Sequence, residues 1–466
     1  MTLRAFLRDG DIDLRESLVS PTSELNVTAV ESDRPSLVRA VSRRQLVALS
    51  MNDVIGSGVY LLPAAAALLL GTASILGVIV AGLAVALLVL CFAEAASYFD
   101  QPGGAYLYTR EAFGSFVGFE TGWMTSLARV ASIASLSNGF ALAAGYLWPS
   151  AATGITRSLI ITALIAILTW VNVRGVKHGA RTAVGLLLAK TLPLVIFVIV
   201  GIFFVDWTVV TTMDAPPAGA LGEAALLLLF AYAGFENTAA AAGEYNNPQR
   251  DVPFALLSMI TLVTLLYTGV QVVALGTLPG VALSISPVAE SAAVFLGAFG
   301  ALLMTLGAMI SIGGNVGNTV LVGPRYLFAL ARDGYGPSAL ARIHPRYNTP
   351  AVAIVTLSAV SLVLALSGSF VQLAMLSIIA RMATYIGTAA ALPILRRRFG
   401  PQPNAFRLPG GMTIPVLALI LSAMLLASAK WQNLVAGAIA LAIGALIYRF
   451  RRTPDSGNGP MERVSG

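Results

Sequence analysis

A long apolar segment near the start of the chain is interrupted at its centre by the sequence Val-Ile-Gly-Ser-Gly-Val at positions 54–59. The glycines at positions 56 and 58 let the backbone leave helical geometry at little steric cost. At the depth of a lipid bilayer, a broken helix is tolerated only where its freed amide and carbonyl groups line a cavity or contact a ligand. The segment therefore predicts a membrane helix that stops halfway, at a binding site.

A second interruption has the sequence Phe-Ala-Tyr-Ala-Gly-Phe-Glu at positions 230–236, within a later apolar segment. Two such breaks at corresponding places in two halves of a chain are typical of secondary transporters. For the first break alone, close packing of small residues between membrane helices is the alternative. The presence of both breaks favours the transporter interpretation.

The composition indicates an all-α integral membrane protein with many spans, because 57% of the residues are hydrophobic, only 11% are charged and the mean hydropathy is +0.81. The net charge of +7 comes from short basic clusters between apolar segments, so no nucleic-acid partner is expected. Cys91 is the only cysteine, and neither His178 nor His344 has neighbours at metal-ligand spacing. We expect no metal, no cofactor and no enzymatic activity, since a phosphate-binding glycine loop and a nucleophile–base pair are also missing.

About twelve apolar segments are long enough to cross a bilayer, at roughly 20 residues each. The polar ends, 1–40 and 453–466, are expected to be flexible cytoplasmic tails around a transporter domain at 41–452. The expected spans are 46–70, 74–98, 115–147, 155–174, 181–205, 222–244, 255–278, 294–330, 350–367, 371–395, 412–429 and 431–449.

The distribution of basic residues predicts the orientation of the chain. Arginine and lysine collect before span 1, after spans 2, 4, 6, 8 and 10, and after the last span, whereas the opposite loops hold few. Because basic residues are enriched in cytoplasmic loops, both termini should lie in the cytoplasm, and the protein should reside in the cell (inner) membrane.

Equivalence of spans 1 and 6 would divide the chain into two units of five helices each. Since five is odd, the second unit must insert upside down relative to the first, which is an inverted repeat. Repeat one is expected at about 44–205 and repeat two at about 222–396, with two additional helices at about 412–449.

The chemistry of the breaks follows from their unpaired backbone groups. Where the first helix resumes after Gly58, free N–H groups and the positive end of the helix dipole favour a carboxylate. Where the first halves end, near Ile55 and Ala231, free carbonyls favour an ammonium group. A zwitterionic amino acid fits both ends. The candidate substrate-binding residues are Ile55, Gly56, Ser57, Gly58, Ala231, Tyr232, Ala233 and Gly234.

Lys190 stands well inside span 5, where a charge is costly. It could exchange a proton during transport, or act as a fixed positive charge against the carbonyls of a broken helix. The alternative is a lysine whose ammonium extends to the cytoplasmic interface. Span 8 carries a polar face with Ser311, Asn315 and Asn318, which could lie beside Lys190.

Further residues near the breaks are candidates for gates or for substrate selectivity: Asp53, Arg129, Phe235 and Glu236. The sequence leaves open whether Asp53 pairs with Lys190, pairs with Arg129 or caps a helix end. Phe235, like Tyr232, could close over bound substrate or simply pack, and Glu236 could be a cap, a gate or a substrate contact. Three more ionisable residues inside spans are expected to form structural pairs or gates: Glu94, Glu120 and Arg381.

Four motifs between about Arg44 and Arg398 make the chain resemble the amino acid/polyamine/organocation transporter superfamily. They are the first break at 54–59; 92–97 followed by 102–108 and 112–114; the second break at 230–236 with 242–248; and 325–334, which ends in Ala-Arg-Asp-Gly. The resemblance implies a leucine-transporter-like fold of five plus five helices with discontinuous helices 1 and 6 and two extra C-terminal helices. Asp53 and Arg129 depart from the family pattern.

The resemblance also implies roles for residues. Similar transporters bind the substrate carboxylate with the amides at positions 56–58 and the amino group with carbonyls at positions 231 and 233. A lysine matching Lys190 stands where sodium-coupled relatives hold an ion, which implies proton coupling or exchange. We therefore expect proton-coupled symport or exchange of amino acids by alternating access. The alternatives are a polyamine or organic-cation carrier that uses Asp53 or Glu236, and a nutrient sensor that binds without translocation; the oligomeric state stays open.

Overall fold

The computed structural model describes residues 42–99, 103–175, 180–212, 215–217, 219–240, 247–400, 405–408 and 410–450. The expected tails at 1–40 and 453–466 lie outside the described residues, as do Pro102 and positions 242–246 of the family motifs. Every regular element within the described ranges is a helix.

The helices follow the expected spans closely, with one additional short helix between spans 2 and 3 and another between spans 5 and 6. Five of them contain an internal proline, which membrane helices tolerate where neighbouring helices satisfy the freed backbone groups. In chain order the α-helices are α1 Arg43–Val54, α2 Ser57–Leu70, α3 Ser74–Ser97, α4 Gly104–Phe113, α5 Ser115–Gly145, α6 Gly154–Arg174, α7 Ala180–Gly201, α8 Trp207–Thr211, α9 Ala220–Tyr232, α10 Phe235–Ala240, α11 Pro248–Thr277, α12 Pro287–Arg332, α13 Ala351–Ser367, α14 Phe370–Phe399, α15 Thr413–Ala427 and α16 Trp431–Arg449.

Eight helical stretches of the described chain are long and apolar enough to cross a membrane, one of them running from α2 through α3. Three shorter apolar helices accompany them: α9, α13 and α15. Large apolar side chains lie on the outer surface, among them Phe203 at 82% and Leu265 at 67% exposure. Such a surface fits lipid contact and confirms a multi-span membrane protein.

The start of α12 differs from its expected boundary. The helix begins at Pro287 rather than at 294, and it bends at Gly297, whose φ of +60° and ψ of −154° are not helical. Glycine adopts this conformation without the steric cost that a Cβ would bring. The first turns of α12 therefore form a separate short segment before the long remainder of the helix.

The long helix α5 is the centre of the fold. It packs against α12, α13 and α14, while α11 packs against α1 and α3, and α2 packs against α9. Small residues along α5, such as Ala128, Ser132 and Gly139, are enclosed and let its neighbours approach closely. This arrangement brings both helix breaks beside α5, α12 and α14.

Candidate functional site

The first helix break lies at Ile55 and Gly56. Helix α1 ends at Val54, Ile55 is extended, Gly56 has φ −140° and ψ −141°, and α2 begins at Ser57. A Cβ on Gly56 would lie 2.5 Å from Nδ2 of Asn315, and a Cβ on Gly58 would lie 2.5 Å from Cα of Ala231. The predicted interruption is present, and glycine is needed there because neighbouring helices approach the backbone itself.

The second break lies at Ala233 and Gly234. Helix α9 ends at Tyr232, Ala233 is extended, and Gly234 has a φ of +126°, which favours glycine. Helix α10 then starts at Phe235. A Cβ on Gly234 would lie 2.5 Å from the carbonyl oxygen of Asp53, so the two breaks touch.

Lys190 of α7 is fully buried, and its ammonium reaches the end of α1. Nζ donates to the carbonyl oxygens of Asn52 at 2.5 Å and Ile55 at 2.8 Å, and to Oδ1 of Asn315 at 2.9 Å. These contacts agree with a positive charge held against the carbonyls of a broken helix. They contradict the alternative in which the ammonium extends to the cytoplasmic interface.

The polar face of α12 lies beside Lys190, as expected. Besides the contact from Asn315, Ser311 donates to the carbonyl oxygen of Ile55 at 3.2 Å. Tyr60 of α2 donates to the backbone carbonyl of Lys190 at 2.9 Å. Helices α1, α2, α7 and α12 are thus joined by one buried hydrogen-bond network.

Two carbonyls that the sequence analysis expected to be free are occupied in the structure. Ile55 accepts from Lys190 and Ser311, and the carbonyl of Ala231 accepts from the hydroxyl of Tyr267 at 3.0 Å. The physical reason is that a buried carbonyl without a partner is costly, so nearby side chains satisfy it. Sequence reasoning missed Tyr267; a lone tyrosine in an apolar helix, whose hydroxyl needs a partner, was the available signal.

Asp53 forms none of the partnerships that the sequence left open. Its Oδ1 accepts from Nδ2 of Asn318 at 2.8 Å, and no ion pair within 4.0 Å joins it to Lys190 or Arg129, both of which are described. The link to Arg129 is indirect. Arg129 donates to Oδ1 of Asn237 at 2.5 Å, and the Asn237 side chain also hydrogen-bonds to Asp53.

Two arginines share the carboxylate of Glu236. Its Oε1 contacts Nη1 of Arg381 directly and lies 3.5 Å from Nη2 of Arg129. Its Oε2 accepts from the N–H of Gly234 at 3.0 Å, so the same side chain also caps the second break. Arg381 donates further to Oγ of Ser132 at 2.9 Å. All three charged side chains are buried.

Phe235 and Tyr232 pack behind the breaks. The ring of Phe235 is fully buried and stacks on Tyr385, with centroids 5.3 Å apart. Tyr232 is also fully buried and donates to the carbonyl of Val78 at 3.2 Å. Of the two open interpretations, the geometry favours packing over closure on a substrate.

The other buried acids lie away from the breaks. Arg396 binds Glu94 in a bidentate pair, with distances of 2.6 and 2.7 Å, which agrees with a structural role. Neither carboxylate oxygen of Glu120 has a hydrogen-bond partner. Among the described residues no group of three metal-binding side chains is found.

A polar cavity of about 30 Å³ lies where the two breaks meet α5, α12 and α14. This volume holds about two water molecules, so the site is closed around less than an amino acid. The hydroxyl of Ser57 is buried at the cavity without a hydrogen-bond partner. Five of the predicted residues do not border the cavity and lie behind the residues that do: Ile55, Ala231, Tyr232, Phe235 and Glu236. The cavity is lined by Asp53, Val54, Gly56, Ser57, Gly58, Arg129, Ser132, Leu136, Phe230, Ala233, Gly234, Asn237, Asn315, Asn318, Thr319 and Arg381.

Comparison with known proteins gives matches over nearly the whole chain. A family model described as amino acid permease matches residues 41–456. The branched-chain amino acid permease BcaP of Bacillus subtilis is 27% identical, with 93% of this chain and 97% of that protein aligned. A methylthioribose transporter of the same organism is 28% identical over 91% and 95% of the two chains, and its serine/threonine exchanger SteT is 27% identical over 85% and 92%. The names of these relatives specify different substrates.

Proposed function

This chain belongs to the amino acid permease family, and on that premise we propose that it moves amino acids across the cell membrane by secondary active transport. The family and the relatives are membrane transporters rather than enzymes. The observation that carries the proposal is the polar cavity between two helix breaks that touch each other. Broken helices around a central cavity are the usual construction of a transporter substrate site.

The first wall of the proposed site is the start of α2. The residues Gly56, Ser57 and Gly58 border the cavity, and the N-terminus of the helix that they begin attracts anions. The unpartnered hydroxyl of Ser57 adds a donor to the same wall. We assign this wall to the substrate carboxylate.

The second wall is the break between α9 and α10. The residues Ala233 and Gly234 border the cavity there, as does Asp53 in the last turn of α1. Ala231 stands behind them, with its carbonyl bound to Tyr267. We assign the substrate amino group to this side, since carbonyl dipoles and a carboxylate both favour a cation.

For the architecture we propose twelve membrane helices, in two inverted repeats of five at about 44–205 and 222–396 and two more at about 412–449. Each repeat then begins with an interrupted helix, the first formed by α1 and α2 and the second by α9 and α10. Alternating access would be a rocking of the bundle around these two helices against the remainder. The distribution of basic loops supports both termini in the cytoplasm.

We propose that Lys190 couples transport to protons, by symport or by exchange. Its ammonium contacts only neutral oxygens and joins α7 to α1 and α12. Loss of its proton would remove the charge that holds the end of α1, so protonation and the position of α1 would be linked. This linkage is what a coupled carrier requires.

Two alternatives make different predictions. An organic-cation carrier would use Asp53 or Glu236 to bind its substrate. Only Asp53 borders the cavity, and Glu236 is already bound by Arg129 and Arg381, which would repel a polyamine. A nutrient sensor would bind the amino acid without moving it. The cavity charges therefore favour amino acids over polyamines, and transport must be measured directly to exclude a sensor.

Uptake by the purified protein in liposomes is the decisive experiment. Labelled amino acids and polyamines are offered with and without an inward proton gradient, and protein-free liposomes serve as the control. We expect saturable uptake of one or more amino acids, increased by the gradient or by amino acid inside the vesicles. Binding without uptake, or uptake of polyamines alone, would contradict the proposal.

A further inference from the structure

Arg129 and Arg381 approach each other closely at the cavity, with a single carboxylate to share. Both guanidinium groups contact the same oxygen, Oε1 of Glu236, and both arginines border the cavity. The other oxygen of Glu236 is engaged by the N–H of Gly234. One carboxylate thus serves two buried guanidinium groups, each of which can bind a carboxylate in a bidentate manner.

The charges around the cavity do not balance when all of them are ionised. Three basic side chains, Arg129, Arg381 and Lys190, lie near two acidic ones, Asp53 and Glu236. The buried group therefore holds one positive charge more than negative charges. In a membrane interior an uncompensated charge is costly, and an anionic ligand would remove that cost.

Two buried hydrogen-bond donors without partners belong to residues that line the same cavity. The hydroxyl of Ser57, at 1% exposure, has no hydrogen-bond partner, and neither has Nε of Arg129, at 2% exposure. Both residues border the cavity, on the α2 side and the α5 side. A buried donor without a partner costs free energy that a ligand acceptor would recover. The cavity thus offers two separate places for negatively charged oxygens.

Building on the proposed function, we infer that the substrate is an amino acid with an acidic side chain. Its α-carboxylate binds the N–H groups at the start of α2, and its side-chain carboxylate binds Arg129 and Arg381. In the absence of substrate, Oε1 of Glu236 occupies the position beside Arg129 and Arg381. The side-chain carboxylate of the substrate displaces this oxygen. Neutral amino acids leave the arginines bound to Glu236, and cationic ones are repelled by them.

The displacement of Glu236 also explains why this residue lies at the second break. Glu236 lies in the first turn of α10, and its Oε2 caps the N–H of Gly234. When the substrate takes over the guanidinium groups, Glu236 remains tied to Gly234 and can move with the break. Recognition of the substrate side chain is thereby connected to the mobile element of the proposed transport cycle.

The first test compares acidic amino acids with their amides on the unmodified protein, by calorimetric titration in detergent. Glutamate and glutamine, like aspartate and asparagine, are nearly identical in size and differ in charge. We expect each acid to bind about 10- to 100-fold more tightly than its amide. This ratio corresponds to the free energy of one or two hydrogen bonds to charged groups. Equal binding of acid and amide, or preference for neutral or cationic amino acids, would overturn the inference and leave the permease proposal standing. If no amino acid binds or is transported, both fail.

The second test uses substitutions at the arginine pair. Arg381→Gln should abolish the preference for glutamate while glutamine still binds, and Arg381→Lys should restore part of it. Arg342→Gln, at an exposed arginine outside the cavity, is the matched control and should retain the preference. Loss of glutamate and glutamine binding in equal proportion in Arg381→Gln would contradict a role in selectivity.

A third variant tests the displacement itself. Glu236→Gln removes the competing carboxylate, so glutamate should bind more tightly than to the unmodified protein and raise the Tm by a larger amount. The Tm without ligand should fall, because two buried guanidinium groups lose their partner. Glutamate affinity that falls with this substitution, while glutamine affinity does not change, would overturn the displacement.

Discussion

Nζ of Lys190 lies 2.8 Å from the carbonyl oxygen of Ile55, so a side chain of α7 takes the place that a backbone amide would occupy if α1 and α2 were one continuous helix. The same nitrogen lies 2.5 Å from the carbonyl oxygen of Asn52. The broken helix is therefore stabilised by a cation from another part of the chain. This relationship makes Lys190 both a structural support and a candidate for proton coupling.

Lys190→Ala should lower the stability and eliminate the response of uptake to a proton gradient. The carbonyl of Asn52 would lose the donor from Lys190, which costs about 1–3 kcal/mol unless water enters the space, whereas the carbonyl of Ile55 keeps its hydrogen bond from Ser311. The measurements are thermal unfolding in detergent and uptake at two external pH values. Lys430→Ala is the matched control, since Lys430 is 66% exposed in its pair with Glu223 and should contribute little. Unchanged uptake and pH response in Lys190→Ala would exclude the coupling role.

Gly58→Ala should eliminate substrate binding and destabilise the protein. The new Cβ would lie 2.5 Å from both Cα and Cβ of Ala231, so α2 and α9 would have to move apart. Overpacking of this kind costs about 1–3 kcal/mol. Gly185→Ala in α7 is the control, because its Cβ would meet nothing within 4 Å and should be neutral or slightly stabilising. Normal binding by Gly58→Ala would show that the substrate does not need this close approach.

Gly234→Ala should destabilise the protein more than a positive φ alone explains. The φ of Gly234 is +126°, and the added Cβ would also lie 2.5 Å from the carbonyl oxygen of Asp53. Gly280→Ala is the comparison for a positive φ without such a contact, since Gly280 has a φ of +77° and nothing within 4 Å of its Cβ position. It should cost about 1–2 kcal/mol, the steric penalty of a left-handed conformation. Equal losses of unfolding free energy for the two variants, measured by chemical unfolding, would contradict a tight contact between the breaks.

Tyr267→Phe should reduce the stability by about 1–3 kcal/mol, since it leaves the buried carbonyl of Ala231 without its donor. Tyr385→Phe is the control, because the hydroxyl of Tyr385 is buried without a hydrogen-bond partner and its removal should be neutral or stabilising. The two variants lose the same atom, so the difference between their unfolding free energies isolates the hydrogen bond. A Tyr267→Phe variant as stable as Tyr385→Phe would contradict the importance of this contact.

The apolar segments and glycine positions were sufficient to predict most of the helices and both breaks. Helix α13, expected at 350–367, spans Ala351–Ser367, and the breaks fall within the predicted motifs. The beginning of α12 was misplaced because the stretch from Pro287 onward is interrupted at Gly297, and a single glycine in an apolar run does not reveal whether it bends the helix.

The partners of the buried charges could not be predicted in the same way. Asp53 meets the amide of Asn318, and Glu236 meets two arginines from different helices. These contacts depend on how helices distant in sequence rotate and pack, which periodicity in a uniformly apolar helix does not determine. For the same reason, the hydrogen bond from the hydroxyl of Tyr267 to the carbonyl of Ala231 could not be predicted.

An experimental structure with bound amino acid tests the central claim most directly. The ligand is the amino acid that binds most tightly in the calorimetric comparison. The account predicts that its α-carboxylate lies within hydrogen-bond distance of the backbone N–H groups at positions 56–58, with its amino group toward the break at 233–234. A ligand bound elsewhere, or helices that become continuous through both breaks when it binds, would contradict the account.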